Sequence, residues 1–114
     1  MRTYEIFSGQ ELEIAELIQQ RRLQLLVHSC IYYELNKSVI SDAKWDKWAK
    51  ELVKLQAQHP RIAKEVIYAE AFLGFDGSTG FDLPIRDEWV MKKAQQLCGV
   101  KKREEKKLKI GKLF

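Results

Sequence analysis

Residues 28–60 read HSCIYYELNKSVISDAKWDKWAKELVKLQAQHP, and this stretch decides the fold of the chain. Apolar residues recur at helical spacing on both sides of a break at residues 36–40, which is rich in turn-forming residues. Two helices joined by so short a connection pack antiparallel. The stretch also holds two tyrosines, two tryptophans and four carboxylates. Because so many rings are unfavourable on a solvated surface, the pattern predicts a helical hairpin whose aromatic side chains serve a core or a ligand.

The ends of the two hairpin helices have recognisable signals. The first helix is expected to begin at a capping box formed by Ser8 and Glu11. Its apolar residues then form one helical stripe: Ile14, Ile18, Leu25, Tyr32 and Leu35, widened by Leu17 and Leu26. Ser41 or Asp42 is expected to cap the second helix, which must end before Pro60 because proline cannot continue a helix.

The whole pattern predicts one all-α domain over residues 1–100, a size that suits a single core. The predicted elements, in chain order, are an edge strand at 3–7, the hairpin over 9–60, further helices at about 61–73 and 86–97, and a basic tail at 101–114. Gly99 is the residue expected just after the last helix. A loop at residues 74–84 contains three glycines and a proline, and its apolar residues are expected to turn inward: Phe75, Phe81 and Leu83.

Composition is that of an ordinary globular protein, with 46% apolar and 32% charged residues. No apolar run approaches the roughly 20 residues that a membrane span needs, and no signal peptide is visible, so we expect no membrane contact and a cytoplasmic location. Cys30 and Cys98 lie in helical patterns without metal-ligand spacing. Free buried thiols are the favoured interpretation, and a disulfide between them stays open.

The basic charge of the chain is concentrated in its tail. Residues 101–112 hold seven Lys or Arg and two Glu, a net charge of +5, whereas residues 1–100 have a net charge of −1. Three roles stay open for the tail: a solvated terminus, a partner-docking segment, and nucleic-acid binding in which basic side chains contact phosphates. The candidates for nucleic-acid binding are Lys101, Lys102, Arg103, Lys106 and Lys107.

The strongest site candidate lies where the two hairpin helices meet. Asp42, Trp45 and Asp46 are spaced i, i+3 and i+4, so they share one face of the second helix. An antiparallel return brings this face close to Tyr32 and Tyr33. Rings offer stacking and cation–π attraction, and carboxylates accept hydrogen bonds, so the pocket suits a flat, cationic, hydroxyl-bearing ligand such as nicotinamide riboside. Alternatively, the rings only cement the hairpin and Asp42 is only a helix cap.

A spaced motif runs through the same stretch: Tyr32-Tyr33, Ile40-Ser41-Asp42, Trp45, Asp46 and His59-Pro60. Over about residues 18–60, it resembles the N-terminal Ia domain of bacterial NAD+-dependent DNA ligases. That family shows an aromatic pair, then Ile-Ser-Asp-x-Glu-Tyr-Asp, an amphipathic helix and a His-Pro ending. The chain departs from the family at Trp45, which replaces tyrosine, at Lys44, which replaces glutamate, and at residues 37–39, which replace a proline-containing turn.

The resemblance implies a ligand and a role for each site residue. The family uses these side chains to hold the nicotinamide mononucleotide half of NAD+ while the ligase adenylates itself. NAD+ or nicotinamide mononucleotide is therefore the expected ligand. The resemblance implies that Tyr32, Tyr33 and Trp45 stack on it, and that Asp42 and Asp46 hold its hydroxyl or amide groups.

The resemblance does not extend to catalysis. The family takes AMP on the lysine of Lys-x-Asp-Gly, whereas the one Asp-Gly here, at residues 76–77, has Gly74 in the place of that lysine. We therefore predict a stand-alone, non-catalytic binding module of the kind that a compact viral genome encodes. The alternative is a phage-type regulator or inhibitor that binds a host protein through the aromatic surface, since Trp and Tyr dominate such interfaces.

Metal binding is not expected. Oxygen-bearing or small residues alternate over residues 76–82, as in the first half of a calcium loop. However, Phe81 and Asp87 stand where such a loop needs glycine and a bidentate glutamate.

Overall fold

The computed structural model describes residues 7–103, and this part of the chain is all-helical. Four helices follow in chain order: α1 (Gln10–Tyr33), α2 (Asp42–Gln58), α3 (Pro60–Glu65) and α4 (Glu88–Arg103). No strand occurs between residues 7 and 103, which confirms the predicted all-α class. The edge strand predicted at residues 3–7 lies outside the described residues, except for Phe7, which is a buried core residue without strand structure.

The central element is α1, because it packs against each of the other three helices. Every residue from 22 to 31 is buried, so this part of the helix is enclosed around its whole circumference. The predicted single apolar stripe is therefore wrong in two respects. The buried surface is wider than a stripe, and Tyr32, with 57% of its surface exposed, lies outside it.

Side-chain contacts define the antiparallel course of α1 and α2. Arg21 Nε donates to Glu51 Oε1 at 2.9 Å near the middle of the pair. Trp45 Nε1 donates to Ser29 Oγ at 3.2 Å, so a position later in α1 meets a position earlier in α2. This arrangement confirms the predicted hairpin, although its connection spans residues 34–41 and is longer than the predicted five-residue break.

The turn of the hairpin is built from local backbone hydrogen bonds. The N–H of Glu34 donates to the carbonyl of Cys30 at 2.8 Å and closes α1. Asn36 then adopts a φ of 57°, in the left-handed region that asparagine tolerates better than most residues. Ser41 caps α2 by accepting a hydrogen bond from the N–H of Lys44 at 3.1 Å, as one of the two predicted caps.

The predicted capping box at the start of α1 is wrong. Gly9 occupies the cap position with a φ of 55°, and no side chain caps the helix. Ser8 contributes its backbone carbonyl instead, which accepts a hydrogen bond from the N–H of Glu11 at 3.1 Å. The carboxylate of Glu11 pairs with Arg61 of α3, so it ties the start of α1 to the end of the hairpin.

The helix predicted at 61–73 is much shorter than expected. It ends at Glu65, because Val66 is extended and Tyr68 adopts a φ of 63°. The Arg22 guanidinium donates to three backbone carbonyls in and just after α3, at 2.9–3.0 Å. These carbonyls are satisfied without a continuing helix, which removes the usual penalty for ending one inside the protein.

The last helix begins and ends later than the predicted 86–97. Asp87 Oδ2 accepts hydrogen bonds from the backbone N–H groups of Trp89 and Val90, at 3.2 and 3.4 Å, and caps α4. The helix continues through Gly99, so the predicted end there is wrong. Its buried residues lie at helical spacing: Val90, Ala94 and Leu97.

The remaining sequence-based expectations have mixed outcomes. Leu83 is buried as predicted, but Phe81 is 63% exposed, so the prediction that it turns inward is wrong. Cys30 and Cys98 are both free thiols, the first buried and the second half-buried, which excludes the alternative disulfide. Within residues 7–103, no helix is both long enough and apolar enough to span a membrane.

Candidate ligand-binding cleft

A cleft of about 460 Å³ opens where the end of α1 meets the start of α2. Its lining residues come from α1, the turn of the hairpin, the first turns of α2 and the loop before α4: His28, Ser29, Tyr32, Tyr33, Ser38, Val39, Ile40, Ser41, Asp42, Ala43, Trp45, Asp46, Ser78, Thr79 and Gly80. All five site residues predicted from the sequence are among them. The volume lies in the range of small-molecule pockets, roughly 300–1,000 Å³.

Two tyrosines at the end of α1 form an open aromatic rim. The rings of Tyr32 and Tyr33 meet edge to face, with centroids 4.9 Å apart and an interplanar angle of 88°. The ring of Phe81 meets Tyr33 in a similar way, at 5.3 Å and 71°. All three side chains are exposed, so part of their ring surface is available to a flat ligand.

Trp45 joins the two hairpin helices and also lines the cleft. The indole has a single hydrogen-bond donor, and its bond to Ser29 Oγ uses that donor. Trp45 can therefore offer a ligand its ring surface but no hydrogen bond. The two roles considered for this residue, cementing the hairpin and contacting a ligand, do not exclude each other.

Two carboxylates edge the cleft from α2. Asp42 is the first residue of the helix, and because Ser41 provides the cap, Asp42 is not needed for that purpose. Asp46 lies one turn further on, and its carboxylate pairs with Lys50 Nζ at 2.8 Å. The Asp46 and Lys50 side chains are at least half exposed, so the ion pair is open to water and to a competing ligand.

Lys44, where the charge is reversed relative to the family, is not one of the residues that line the cleft. Lys44 Nζ lies 5.3 Å from the ring centroid of Trp48 on the neighbouring face of α2. Trp48 is buried, and its ring packs against His28 at a centroid distance of 5.7 Å. The Lys44 ammonium therefore lies over the Trp48 ring and not among the residues that line the cleft.

Sequence reasoning missed one wall of the cleft, formed by residues 78–80. Thr79 Oγ1 lies 3.0 Å from the hydroxyl oxygen of Tyr33. Ser78 donates to the Asp76 carboxylate through its hydroxyl at 2.7 Å and its N–H at 2.9 Å, and these bonds lower the pKa of the Asp76 carboxyl. The glycines of this segment signalled a loop, but no local pattern indicated where the loop packs.

His28, Ser29 and the turn residues 38–40 were also absent from the predicted site, although they line the cleft. Beside them, burial and then the Glu34 carboxylate raise the pKa of the Cys30 thiol to about 11, so this group stays protonated at neutral pH. Across the described residues, no three His, Cys, Asp or Glu side chains gather as metal ligands. The cleft offers rings, hydroxyls and carboxylates, which are groups that bind a polar, flat ligand.

The structure is an antiparallel helical hairpin with a cleft at its turn that is lined by aromatic and acidic side chains. Comparison with known proteins finds a family to which this part of the chain is similar. Residues 11–65 match the family described as "DNA ligase-like, N-terminal NAD+-binding domain". This segment is just under half of the chain and resembles the ligase Ia domain, which confirms the resemblance recognised over residues 18–60.

Individual ligases show the same local similarity. The DNA ligase of Bacteroides fragilis is 41% identical over 54 residues, which are 47% of this chain and 8% of that ligase. The DNA ligase of Pseudomonas paraeruginosa is 42% identical over 48 residues, or 42% of this chain and 6% of that ligase. The DNA ligase of Endomicrobium trichonymphae is 33% identical over 66 residues, or 58% of this chain and 10% of that ligase.

The similarity covers a tenth or less of the length of these three ligases. It therefore concerns the N-terminal NAD+-binding domain and not the ligase as a whole. No solved structure matches this chain.

Proposed function

We propose that the cleft binds the nicotinamide mononucleotide half of NAD+ and that this chain is a binding module rather than a catalyst. The observation that supports the proposal is that five residues of the ligase-like segment, residues 11–65, line one cleft: Tyr32, Tyr33, Asp42, Trp45 and Asp46. The description of the matching family as NAD+-binding supports the class of ligand.

The side chains around the cleft suit this ligand. Nicotinamide in its nucleotide is a flat, positively charged ring, and the exposed faces of Tyr32 and Tyr33 attract it by cation–π interaction, worth about 0.5–2 kcal/mol. The carboxylates of Asp42 and Asp46 accept hydrogen bonds from ribose hydroxyls and from the carboxamide N–H. The ligand would supply the positive ring and the donors, and the chain would supply the acceptors and ring faces.

The affinity is expected to be low. The tyrosines and carboxylates at the cleft are substantially exposed, so binding buries only part of the ligand and must still offset the loss of its translational freedom. We expect a Kd on the order of 1 mM, which corresponds to about −4 kcal/mol. Binding experiments therefore need millimolar ligand.

Asp46→Asn is expected to weaken binding of nicotinamide mononucleotide by about tenfold or more, because a hydrogen bond to a charged group is worth about 1.5–3 kcal/mol. The measurement is a titration of each variant with nicotinamide mononucleotide, followed by isothermal calorimetry or NMR.

Lys50→Ala is the matched control, because it removes the same ion pair and leaves the Asp46 carboxylate in place. This variant is expected to bind as well as the unchanged chain or better. If Lys50→Ala and Asp46→Asn weaken binding equally, or if Asp46→Asn has no effect, the assignment of Asp46 is wrong.

A second candidate function is binding of a protein partner through the same rim, favoured by the adjoining exposed rings of Tyr32, Tyr33 and Phe81. Nucleic-acid binding by the tail stays a prediction. The backbone of residues 101–103 belongs to α4, and Lys106 and Lys107 lie outside the described residues. The phage-type character and the cytoplasmic location likewise stay predictions.

A further inference from the structure

We propose that the loop at residues 77–81, which lies outside the ligase-like segment, is part of the nucleotide site, and that Thr79 is the positioning residue that orients Tyr33 toward the ligand. This inference rests on the proposed function, because it needs a ligand in the cleft. It assigns one wall of the site and the role of Thr79 to residues beyond the match to the ligase family, which ends at residue 65.

The loop is seated directly on both hairpin helices. At Gly77, which has a φ of 83°, an added Cβ would lie 3.3 Å from Val53 Cγ2 and 3.6 Å from Ala49 Cβ, so the backbone crosses α2 at close range. At Gly80, an added Cβ would lie 2.1 Å from Ser29 Oγ on α1. The loop therefore has a defined position as one wall of the cleft, and its position depends on glycine at the point of closest approach.

This position lets the loop restrain Tyr33 at two points. The Thr79 hydroxyl pairs with the Tyr33 hydroxyl at 3.0 Å, while its oxygen also accepts the N–H of Phe81 at 3.2 Å. The ring of Phe81 packs edge to face against Tyr33 from the loop, and the ring of Tyr32 makes a similar contact with Tyr33 from α1. A tyrosine at a helix end would otherwise sample several rotamers, whereas here its hydroxyl and its ring are both held.

A restrained ring binds a flat ligand better than a mobile one, because the cost of ordering the side chain has been met before binding. Tyr33 lines the cleft, so the orientation of its ring sets the surface that the ligand meets. Thr79 also lines the cleft, but its hydroxyl is shared between Tyr33 and Phe81, so its main effect on binding passes through Tyr33.

Thr79→Val tests the inference because it removes the hydroxyl and preserves the shape of the side chain. We expect it to weaken binding of nicotinamide mononucleotide by about three- to tenfold, the range for one hydrogen bond. Thr79→Ser restores the hydroxyl and is expected to rescue most of the affinity. Tyr33→Phe should weaken binding by a similar factor, and the double variant Tyr33→Phe with Thr79→Val should be no weaker than either single variant.

A purely structural role for Thr79 would not produce this coupling in the binding constants. If the unchanged chain binds and Thr79→Val binds equally well, or if the two substitutions act additively, the role of Thr79 is overturned while the proposed function stands. If the unchanged chain shows no response to millimolar nicotinamide mononucleotide, both the proposed function and this inference are overturned. Thermal unfolding of each variant verifies that the compared proteins are folded.

Discussion

Arg22→Met is expected to lower the free energy of unfolding by about 3–5 kcal/mol, because it leaves several acceptors without a partner and each buried acceptor left unsatisfied costs about 1–3 kcal/mol. Arg22 is only 1% exposed, although it is charged. Its guanidinium donates to the carbonyls of Ala63, Val66 and Ile67, and twice to Gln56 Oε1 at 2.7 and 2.9 Å. One side chain of α1 thus fixes α2, α3 and the turn after α3.

The large effect follows from what the substitution leaves behind. Methionine fills much of the volume but has no donor, so the carbonyls and the Gln56 amide oxygen lose their buried partner, at about 1–3 kcal/mol for each group left unsatisfied. Lysine would not restore the network, because a single ammonium cannot reproduce the planar fork of donors. We therefore expect Arg22→Lys to be strongly destabilised as well.

The neighbouring residue supplies the control. Arg21 makes a partly exposed ion pair with Glu51 at 2.9 Å, so Arg21→Met should cost about 1 kcal/mol or less. Urea unfolding of the three variants, with the unchanged chain as reference, gives the comparison. Equal and small losses for Arg21→Met and Arg22→Met would contradict the buried network.

Gly80→Ala is expected to lower the free energy of unfolding by about 1–3 kcal/mol, the usual cost of overpacking. The folded Gly80→Ala protein is also expected to bind the nucleotide more weakly. The added Cβ would lie 2.8 Å from Ser29 Cβ, an atom fixed to the backbone of α1, and 3.1 Å from Trp45 Cζ2. The loop must therefore move outward, which withdraws one wall of the cleft and disturbs the bond between Trp45 and Ser29.

Gly99→Ala is the matched control for this substitution. Among the described residues, no atom apart from the chain neighbours and the nearby backbone of α4 lies within 4 Å of an added Cβ at Gly99, and inside α4 alanine is favoured over glycine by about 0.8–1 kcal/mol. We expect this variant to be as stable as the unchanged chain or more stable, with unchanged ligand binding. A Gly80→Ala protein that matches it in unfolding and in binding would disprove the close approach of the loop.

The hairpin, and the gathering of five predicted residues at one cleft, could be predicted because their signals are local. Spacing of i, i+3 and i+4 puts Asp42, Trp45 and Asp46 on one helix face wherever that helix lies. A short connection then determines which residues of the preceding helix face them. Ser41 is similar, because the cap depends on atoms only three residues apart.

Other features could not be predicted because they depend on residues far apart in the sequence. The early end of α3 depends on Arg22, because its guanidinium donates to carbonyls that lie more than 40 positions later in the sequence. The wall at residues 78–80 depends on contacts with Ser29 and Tyr33. A glycine-rich segment predicts a loop but does not indicate which residues that loop packs against. Tyr32 was expected both in an apolar stripe and at the site, and only the packing of α1 decides that it is exposed.

The most direct test of the central claim is a two-dimensional amide NMR titration with nicotinamide mononucleotide, NAD+ and AMP in parallel. If nicotinamide binds in the cleft, we expect saturable shifts at residues 32–46 and 77–81 with the first two ligands at millimolar concentration, and no such shifts with AMP. Absence of shifts with nicotinamide mononucleotide, or equal shifts with AMP at the same residues, would contradict a nicotinamide site in this cleft.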